Sequence, residues 1–333
     1  MAKFIVKRLL LAVVILFFAM FLIYTLIYVI HNNYVEATAR ELAAATAKQG
    51  GKTYAEWLEQ LNKETGRDKG LVPGYFTWIG NAVQGKFGDS WKWNMSCTKK
   101  FSSVIWNSFA LGLISFIFEI IIAIPLGVIA AKKQYSITDY TVTCVALIGI
   151  SLPTFFVATV LKLIFAIRLQ WFDIGGMHSR DFISTNATSW EAFWDVAKHF
   201  VLPAMTLIFI SIGGLMRYTR TNMLEVLNAD YIRTARAKGL SERKVIGYHA
   251  FRNTLIPIVT LLGGTLPSLF SGALITETLF SIDGIGYVSY YSMTSGDIPF
   301  TMFYLTLMSI LTLLGNIIAD ILYAVVDPRV RVN

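Results

Sequence analysis

The chain has 333 residues, of which 55% are hydrophobic and 15% are charged, and its formal net charge is +8. Its mean hydropathy of +0.57 is too high for a protein whose whole surface faces water. The composition therefore excludes an ordinary soluble domain and favours a membrane protein.

Six apolar runs each reach the roughly 20 residues that a helix needs to cross a bilayer. The first run is longer than the core of about 7–15 residues in a cleavable signal peptide, so we expect it to be retained as a helix. The sequence predicts an all-α polytopic membrane protein with six transmembrane helices, at about Leu9–Ile30, Val104–Ala131, Thr141–Ile167, Phe200–Met216, Leu255–Thr276 and Pro299–Val326.

The basic residues predict the orientation, because cytoplasmic loops are enriched in Lys and Arg. With a cytoplasmic N-terminus, the inner segments hold 15 of these residues, and the outer segments hold 13, ten of them in the long first outer segment. This topology explains most of the net charge, so no nucleic-acid partner is expected. Both termini are predicted to be cytoplasmic, with inner segments at 1–8, 132–140, 217–254 and 327–333 and outer segments at 31–103, 168–199 and 277–298.

The predicted topology divides the chain into four parts. Residues 1–30 form the first transmembrane helix. Residues 31–103 form an extracytoplasmic lobe with helical composition around Glu36–Lys63. Residues 104–326 form a core of five helices with a cytoplasmic loop at 217–254, and residues 327–333 form a cytoplasmic tail.

One stretch of the lobe imitates a nucleotide-binding motif. Gly80–Phe87 nearly fits the phosphate-binding loop GxxxxGK[ST], but Phe87 stands where the motif needs a hydroxyl group for Mg²⁺. The segment is also predicted to lie outside the cell, away from ATP. Cys97 and Cys144 are expected far apart in depth and give no redox or metal signature. We therefore expect no catalytic residue, metal ion or cofactor in this chain, and no ATPase site of its own.

The cytoplasmic loop 217–254 is the most informative segment, and it carries eight basic residues. Gly239 suits a helix C-terminus, where a left-handed residue is needed. Ser241 suits the N-cap of a second helix, with Glu242 at its positive end. The loop thus predicts a helix, a tight turn at Lys238–Ser241 and another helix, with apolar residues at helical spacing at Leu224, Leu227, Tyr231, Ala235 and Leu240. The residues alone leave an equal alternative, which is a basic helix lying on acidic lipid.

Two stretches of this loop, YIRTARAKGLS (231–241) and HAFRNTLIP (249–257), carry a resemblance to a known family. They resemble the cytoplasmic coupling loop of binding-protein-dependent ABC importer permeases, and more narrowly that of the B-type permease of dipeptide and oligopeptide importers. The resemblance covers the chain from about residue 76 to its end, plus the first helix. Further matching segments are FTWIGNAVQGKFGDSW (76–91), IPLGVIAA (124–131), GISLPTFF (149–156), LPAMTL (202–207), RYTRTNMLEVL (217–227), ETLFSIDGIG (277–286) and DPRVR (327–331).

The chain departs from the general permease pattern at three places. Arg233-Thr234-Ala235 stands where that pattern has EAA, and residues 249–252 stand where it has IxLP. Both variants resemble the peptide subfamily and sharpen the assignment. Residues 31–75 lack the usual short Pro-Gly-Asp-Pro outer segment, so the resemblance does not indicate what this lobe binds.

The resemblance implies that the helix around Asp230–Lys238 sits in a groove of a cytoplasmic ATPase subunit. Tyr231, Ala235 and Leu240 would offer a small apolar knob, and the arginines would bond partner carboxylates. The implied partners are a second homologous permease, two ATPase subunits that bind ATP and Mg²⁺, and an extracytoplasmic substrate-binding protein. The expected ATPase-coupling residues are Asp230, Tyr231, Arg233, Thr234, Ala235, Arg236, Lys238, Gly239, Leu240 and Ser241.

Polar and helix-breaking residues within the spans are candidates for the translocation pathway. Glu119 lies at membrane depth, where an ionisable group is costly, and faces either a subunit interface or the pathway. Lys162, by contrast, is expected to snorkel outward. Prolines within spans free backbone carbonyls, which are tolerated only inside protein or beside water. The pathway candidates are Glu119, Ser151, Pro153, Pro267, Ser268 and Gly272.

The expected function is that of a membrane-spanning permease subunit of an ATP-driven importer of dipeptides and oligopeptides in the cell membrane of a prokaryote. One alternative is the same type of importer permease with a nickel complex or another small solute as cargo. A more remote alternative is an ATP-independent channel or carrier, which would not need the loop to meet an ATPase.

Overall fold

Most of the described chain is helical. The computed structural model describes residues 2–30, 32–47, 51–179, 182 and 188–326. The labelled helices are α1 (Ala2–Ile30), α2 (Asn32–Thr46), α3 (Tyr54–Glu64), α4 (Leu71–Val83), α5 (Cys97–Lys132), α6 (Ile137–Ser151), α7 (Thr154–Leu161), α8 (Ser189–Leu227), α9 (Asp230–Ala237), α10 (Glu242–Lys244), α11 (Phe251–Thr265), α12 (Leu274–Leu279), α13 (Ile285–Thr294) and α14 (Ile298–Val326). A minimal antiparallel hairpin of β1 (Asp89–Ser90) and β2 (Met95–Ser96) interrupts this all-α pattern.

Four of the described helices contain stretches long and apolar enough to cross a membrane, at Val6–Val29, Cys97–Lys132, Ser189–Leu227 and Ile298–Ile321. Two pairs of helices joined at a bend are together also long and apolar enough to cross a membrane, Ile137–Ser151 with Thr154–Arg168 and Glu242–Leu255 with Pro257–Phe270. Large apolar side chains such as Leu10, Val13 and Phe18 are more than half exposed, which suits a surface that faces lipid. The chain is therefore a polytopic α-helical membrane protein with four to six spans.

The predicted spans match these elements in position but differ in their limits. The third is broken at Leu152–Pro153, and the axes of its two halves differ by 105°. The helix of the fourth extends well beyond Phe200–Met216 in both directions and contains Pro203 in its interior. The fifth leaves α-helical geometry at Thr265 and continues as a 3₁₀ turn at Leu266–Phe270. The predicted tail, with its DPRVR motif, lies outside the described residues.

The described residues form two compact units, and the first consists of Met1–Trp106 and Ile285–Leu314. Its core gathers buried side chains from α1, α3, α4 and α14, including Met20, Leu61, Tyr75 and Ile298. The Asp297 carboxylate caps the start of α14 and also accepts hydrogen bonds from the Ser90 hydroxyl and the Trp91 backbone N–H. The helices α2 to α4 agree with the helical composition of the predicted lobe, and its placement outside the membrane remains a prediction.

The second unit consists of Asn107–Gly284 and Gly315–Asn333. In this unit, α6 and α8 approach so closely that a Cβ added at Gly149 would lie 2.6 Å from the Phe209 carbonyl oxygen. A Cβ at Gly213 would clash in the same way with the Ala146 carbonyl. Small residues at such crossings allow helix backbones to pack in the absence of a hydrophobic drive between helices in lipid. This packing fixes α8, the helix that leads into the predicted coupling segment.

Candidate functional site

The segment from Asp230 to Ser241, called the coupling segment below, is a short helix closed by a glycine turn. The Gly239 N–H donates to the Arg236 carbonyl at 2.9 Å, and the Leu240 N–H donates to the Ala235 carbonyl at 3.4 Å. This pair of bonds is a Schellman motif, which requires a left-handed residue, and Gly239 has φ of +75°. The predicted helix and tight turn are therefore present.

One face of α9 anchors the coupling segment to the rest of the second unit. Ile232 is 0% exposed and Ala235 is 6% exposed. They pack in one apolar cluster with Met223 near the end of α8 and with Val245 and Ala250, which follow the turn. Buried contacts therefore hold the segment both to the preceding helix α8 and to the residues that follow the turn.

The opposite face of α9 is exposed and mostly basic. Tyr231 is 47% exposed, and the Arg233, Lys238 and Arg236 side chains also face outward. The Arg236 Nε lies 2.8 Å from the Glu242 Oε1, so one ion pair bridges the turn. Arg233 lies 3.9 Å from the exposed Asp230 carboxylate, which is too long for a strong hydrogen bond. This face offers an aromatic ring and guanidinium groups to a partner.

The structure does not place the three residues of the expected apolar knob on one exposed face. Ala235 is buried and Leu240 half-buried in the cluster beneath the helix, so of the three knob residues only Tyr231 lies on the exposed face. Ile232, which the sequence reasoning missed, is the main anchor, and its spacing of three from Ala235 was the available signal. Asp230, Arg233, Thr234, Arg236, Lys238, Gly239 and Ser241 are exposed. Ser241 occupies the N-cap of α10 but makes no side-chain capping bond.

A partly buried ion pair between Arg220 and Asp139 connects α8 to α6 just before the coupling segment. Arg220 Nε and a terminal guanidinium nitrogen lie 2.7 and 2.8 Å from the two oxygens of Asp139, which is 2% exposed. Asp139 also accepts from the Tyr135 N–H at 3.0 Å. This pair could not be predicted from the sequence, because nothing in the two separate segments shows that they meet. It joins the first turn of α6 to α8.

Three of the six pathway candidates meet at one cavity in the second unit. A cavity of about 400 Å³ is lined by Glu119, Ser268 and Gly272, whereas Ser151, Pro153 and Pro267 are not among its lining residues. Pro153 is instead the N-cap of α7 at the 105° bend, and Pro267 is buried against Gly315. Lys162, expected to snorkel, donates from Nζ to the Leu279 carbonyl at 2.6 Å.

Glu277 is a buried acid at the second unit's core that the sequence reasoning did not single out. It is 0% exposed and accepts hydrogen bonds from the Ser108 hydroxyl at 2.7 Å and the Ala273 N–H at 2.9 Å. A Cβ at Gly284 would clash with its carboxylate. Among the described residues, no group of three or more His, Cys, Asp or Glu side chains is placed to hold a metal ion.

Comparison with known proteins agrees with this architecture. Residues 123–332 match the family model described as binding-protein-dependent transport system inner membrane component. The chain is 38% identical to the oligopeptide transport system permease protein AppB of Bacillus subtilis, over 82% of this chain and 84% of that protein. It is 34% identical to the di/tripeptide transport system permease protein DppB of Pseudomonas aeruginosa over 99% of both chains. It is 35% identical to the dipeptide transport system permease protein DppB of Escherichia coli, over 82% of this chain and 84% of that protein.

Proposed function

Because the chain belongs to the binding-protein-dependent transport inner membrane component family, we propose that it is the membrane-spanning permease subunit of an ATP-driven peptide importer. The peptide cargo is supported by relatives whose names specify oligopeptides, di- and tripeptides, and dipeptides. We place the protein in the cytoplasmic membrane of a prokaryote with both termini in the cytoplasm, as the distribution of Lys and Arg favours.

The two faces of α9 differ, since one is buried in the second unit and the other is exposed, and this difference supports the proposal for the site. The inner face of α9 is fixed to the second unit by Ile232 and Ala235, while Tyr231 and Arg233 point outward with few bonds inside the chain. A free basic helix on lipid would not need an anchored inner face and a rigid turn. A helix that transmits a displacement needs both, because a loosely held segment would move alone.

We propose that the exposed face of the coupling segment docks in a groove of a cytoplasmic ATPase subunit. Tyr231 supplies apolar area, and Arg233 forms charge-assisted hydrogen bonds to partner carboxylates. ATP binds better to the closed pair of ATPases, so it shifts the equilibrium of any element attached to them. The membrane helices then alternate between inward-facing and outward-facing arrangements, with ATP and Mg²⁺ held by the partner subunits.

The proposed assembly contains this chain, a second homologous permease, two ATPase subunits and an extracytoplasmic substrate-binding protein. To test it, the protein would be extracted gently from its native membrane with a tag on this chain, and the co-purifying polypeptides would be identified by mass spectrometry. The complex would then be reconstituted in vesicles for a peptide uptake assay.

The proposal predicts co-purification of ATPase and permease partners and uptake of peptide only with ATP. A chain that emerges alone or only with copies of itself would contradict it. Uptake of a nickel complex in place of peptide would retain the importer and change its cargo. Uptake without ATP would indicate a channel or carrier.

A further inference from the structure

The cavity lined by Glu119 combines an apolar wall with a small set of polar side chains. It lies among the apolar helices α5, α7, α8 and α11, in the part of the second unit predicted to span the membrane. Its lining includes one carboxylate, and in this described part of the chain it contains no Lys, Arg or His. The remaining polar lining residues are Ser108, Ser115, Thr154, Ser211, Thr265 and Ser268.

Most of these hydroxyl groups already donate their single proton in a hydrogen bond within the chain. Ser115 donates to the Leu111 carbonyl at 2.8 Å, Thr265 donates to the Leu262 carbonyl at 2.8 Å, and Ser268 donates to the Thr265 carbonyl at 2.6 Å. Ser108 donates to Glu277 at 2.7 Å. A hydroxyl whose proton is taken still has oxygen lone pairs to offer. The polar groups of the cavity wall therefore act mainly as hydrogen-bond acceptors, and side chains such as Phe116, Leu207 and Leu261 make the rest of the wall apolar.

Glu119 supplies the one carboxyl group of this wall. The hydroxyl of Ser211, another lining residue, donates to the Ile208 carbonyl at 3.3 Å. A carboxylate at membrane depth is costly unless a cation or several donors reach it. The group that best complements one carboxylate among hydroxyl acceptors is an ammonium group, which brings three donors and no acceptor.

We propose that Glu119 and the surrounding hydroxyl oxygens form a subsite for the α-ammonium group of the transported peptide. This inference rests on the proposed function as a peptide permease and names the part of the cargo that the subsite recognises. Every peptide with a free N-terminus carries this ammonium group whatever its side chains are, so one acidic subsite serves a varied cargo. The cavity volume is within the range of about 300–1,000 Å³ that holds small ligands.

The first experiment compares two peptides in vesicles containing the complete importer. One peptide has a free α-amine and the other lacks that amine but is otherwise identical. Glu119→Gln keeps the size of the side chain and removes its charge. We expect it to reduce the uptake rate of the free-amine peptide about tenfold or more, as for one hydrogen bond to a charged group, and to leave the rate for the des-amino peptide unchanged. Asp320→Asn, an acid in another span that does not line the cavity, serves as the matched control.

A second experiment measures the charge of the cavity without relying on transport. Ser268→Cys places a thiol in the wall, and the exposed Cys144 is replaced by Ser to remove background labelling. We expect a cationic methanethiosulfonate reagent to label Cys at position 268 at least about fivefold faster than an anionic one, because a nearby carboxylate attracts the cation. Adding Glu119→Gln should abolish this preference, and a free-amine peptide should slow the labelling.

The outcomes separate this inference from the proposed function. If the wild-type importer shows no ATP-driven peptide uptake, the proposed function itself fails. If the wild type transports peptide but Glu119→Gln slows both peptides equally or neither, the ammonium subsite is wrong while the importer stands. Uptake that collapses when choline replaces sodium would assign the carboxylate to an inorganic cation and would also overturn the subsite.

Discussion

Replacement of Gly239 tests whether the geometry of the coupling segment matters for function. Its φ of +75° lies in the left-handed region, and a Cβ added there meets no atom within 4 Å. The penalty for Gly239→Val is therefore conformational rather than steric, about 1–2 kcal/mol for an L-residue forced into this region. That energy corresponds to a factor of about 5–30 in the population of the correct turn.

The assay is the affinity of the purified ATPase subunit for the importer's permease pair in nanodiscs, followed by ATP-driven uptake in vesicles. We expect Gly239→Val to weaken ATPase binding about 5- to 30-fold while the chain still inserts into the membrane. Gly239→Asn should lose less, because Asn tolerates the left-handed region. Gly247→Ala is the matched control, since that position also has open space around an added Cβ but no positive φ. Wild-type affinity in Gly239→Val would refute the role of the turn.

Three further experiments compare the inner face of α9 with its outer face and test the Arg220–Asp139 ion pair. Ile232→Ala removes a fully buried anchor and should destabilise the second unit by about 2–5 kcal/mol in a thermal unfolding assay, whereas Tyr231→Ala should leave stability unchanged and weaken ATPase binding. The Arg236–Glu242 pair is exposed and should contribute less than about 1 kcal/mol to stability. Arg236→Ala should therefore reduce ATPase affinity more than Glu242→Ala does, and equal losses in the two variants would show that only the pair matters. Arg220→Lys cannot reproduce the bidentate bond and should leave ATP hydrolysis intact while lowering the peptide taken up per ATP, so unchanged coupling would contradict its role.

The sequence predicted the features that depend on local patterns. Apolar runs located the spans, and Gly239 marked the end of α9, because both signals depend only on neighbouring residues. The inward side of α9 was assigned wrongly at Ala235, since spacing shows which residues share a face but does not show which face meets the core. The meeting of Asp139 with Arg220, 81 positions apart, could not be predicted, because it depends on how α6 and α8 pack. The cavity also depends on tertiary packing, and of the six pathway candidates only Glu119, Ser268 and Gly272 line it.

The Arg220–Asp139 ion pair and the buried cluster around Ile232 together explain how a small movement of the coupling segment would reach the membrane helices. The Ile232 cluster fixes α9 to the end of α8, so a displacement of α9 moves α8 as well. Arg220 then connects α8 to Asp139 at the start of α6 through two hydrogen bonds in a fixed fork. A fork resists rotation about the bond, which a single ammonium contact does not. Because α6 and α8 also touch backbone to backbone at Gly149 and Gly213, they would move as one body, and α8 contributes Ser211 to the wall of the Glu119 cavity. Motion of the ATPase would thus reach the cavity through packed side chains and close backbone contacts.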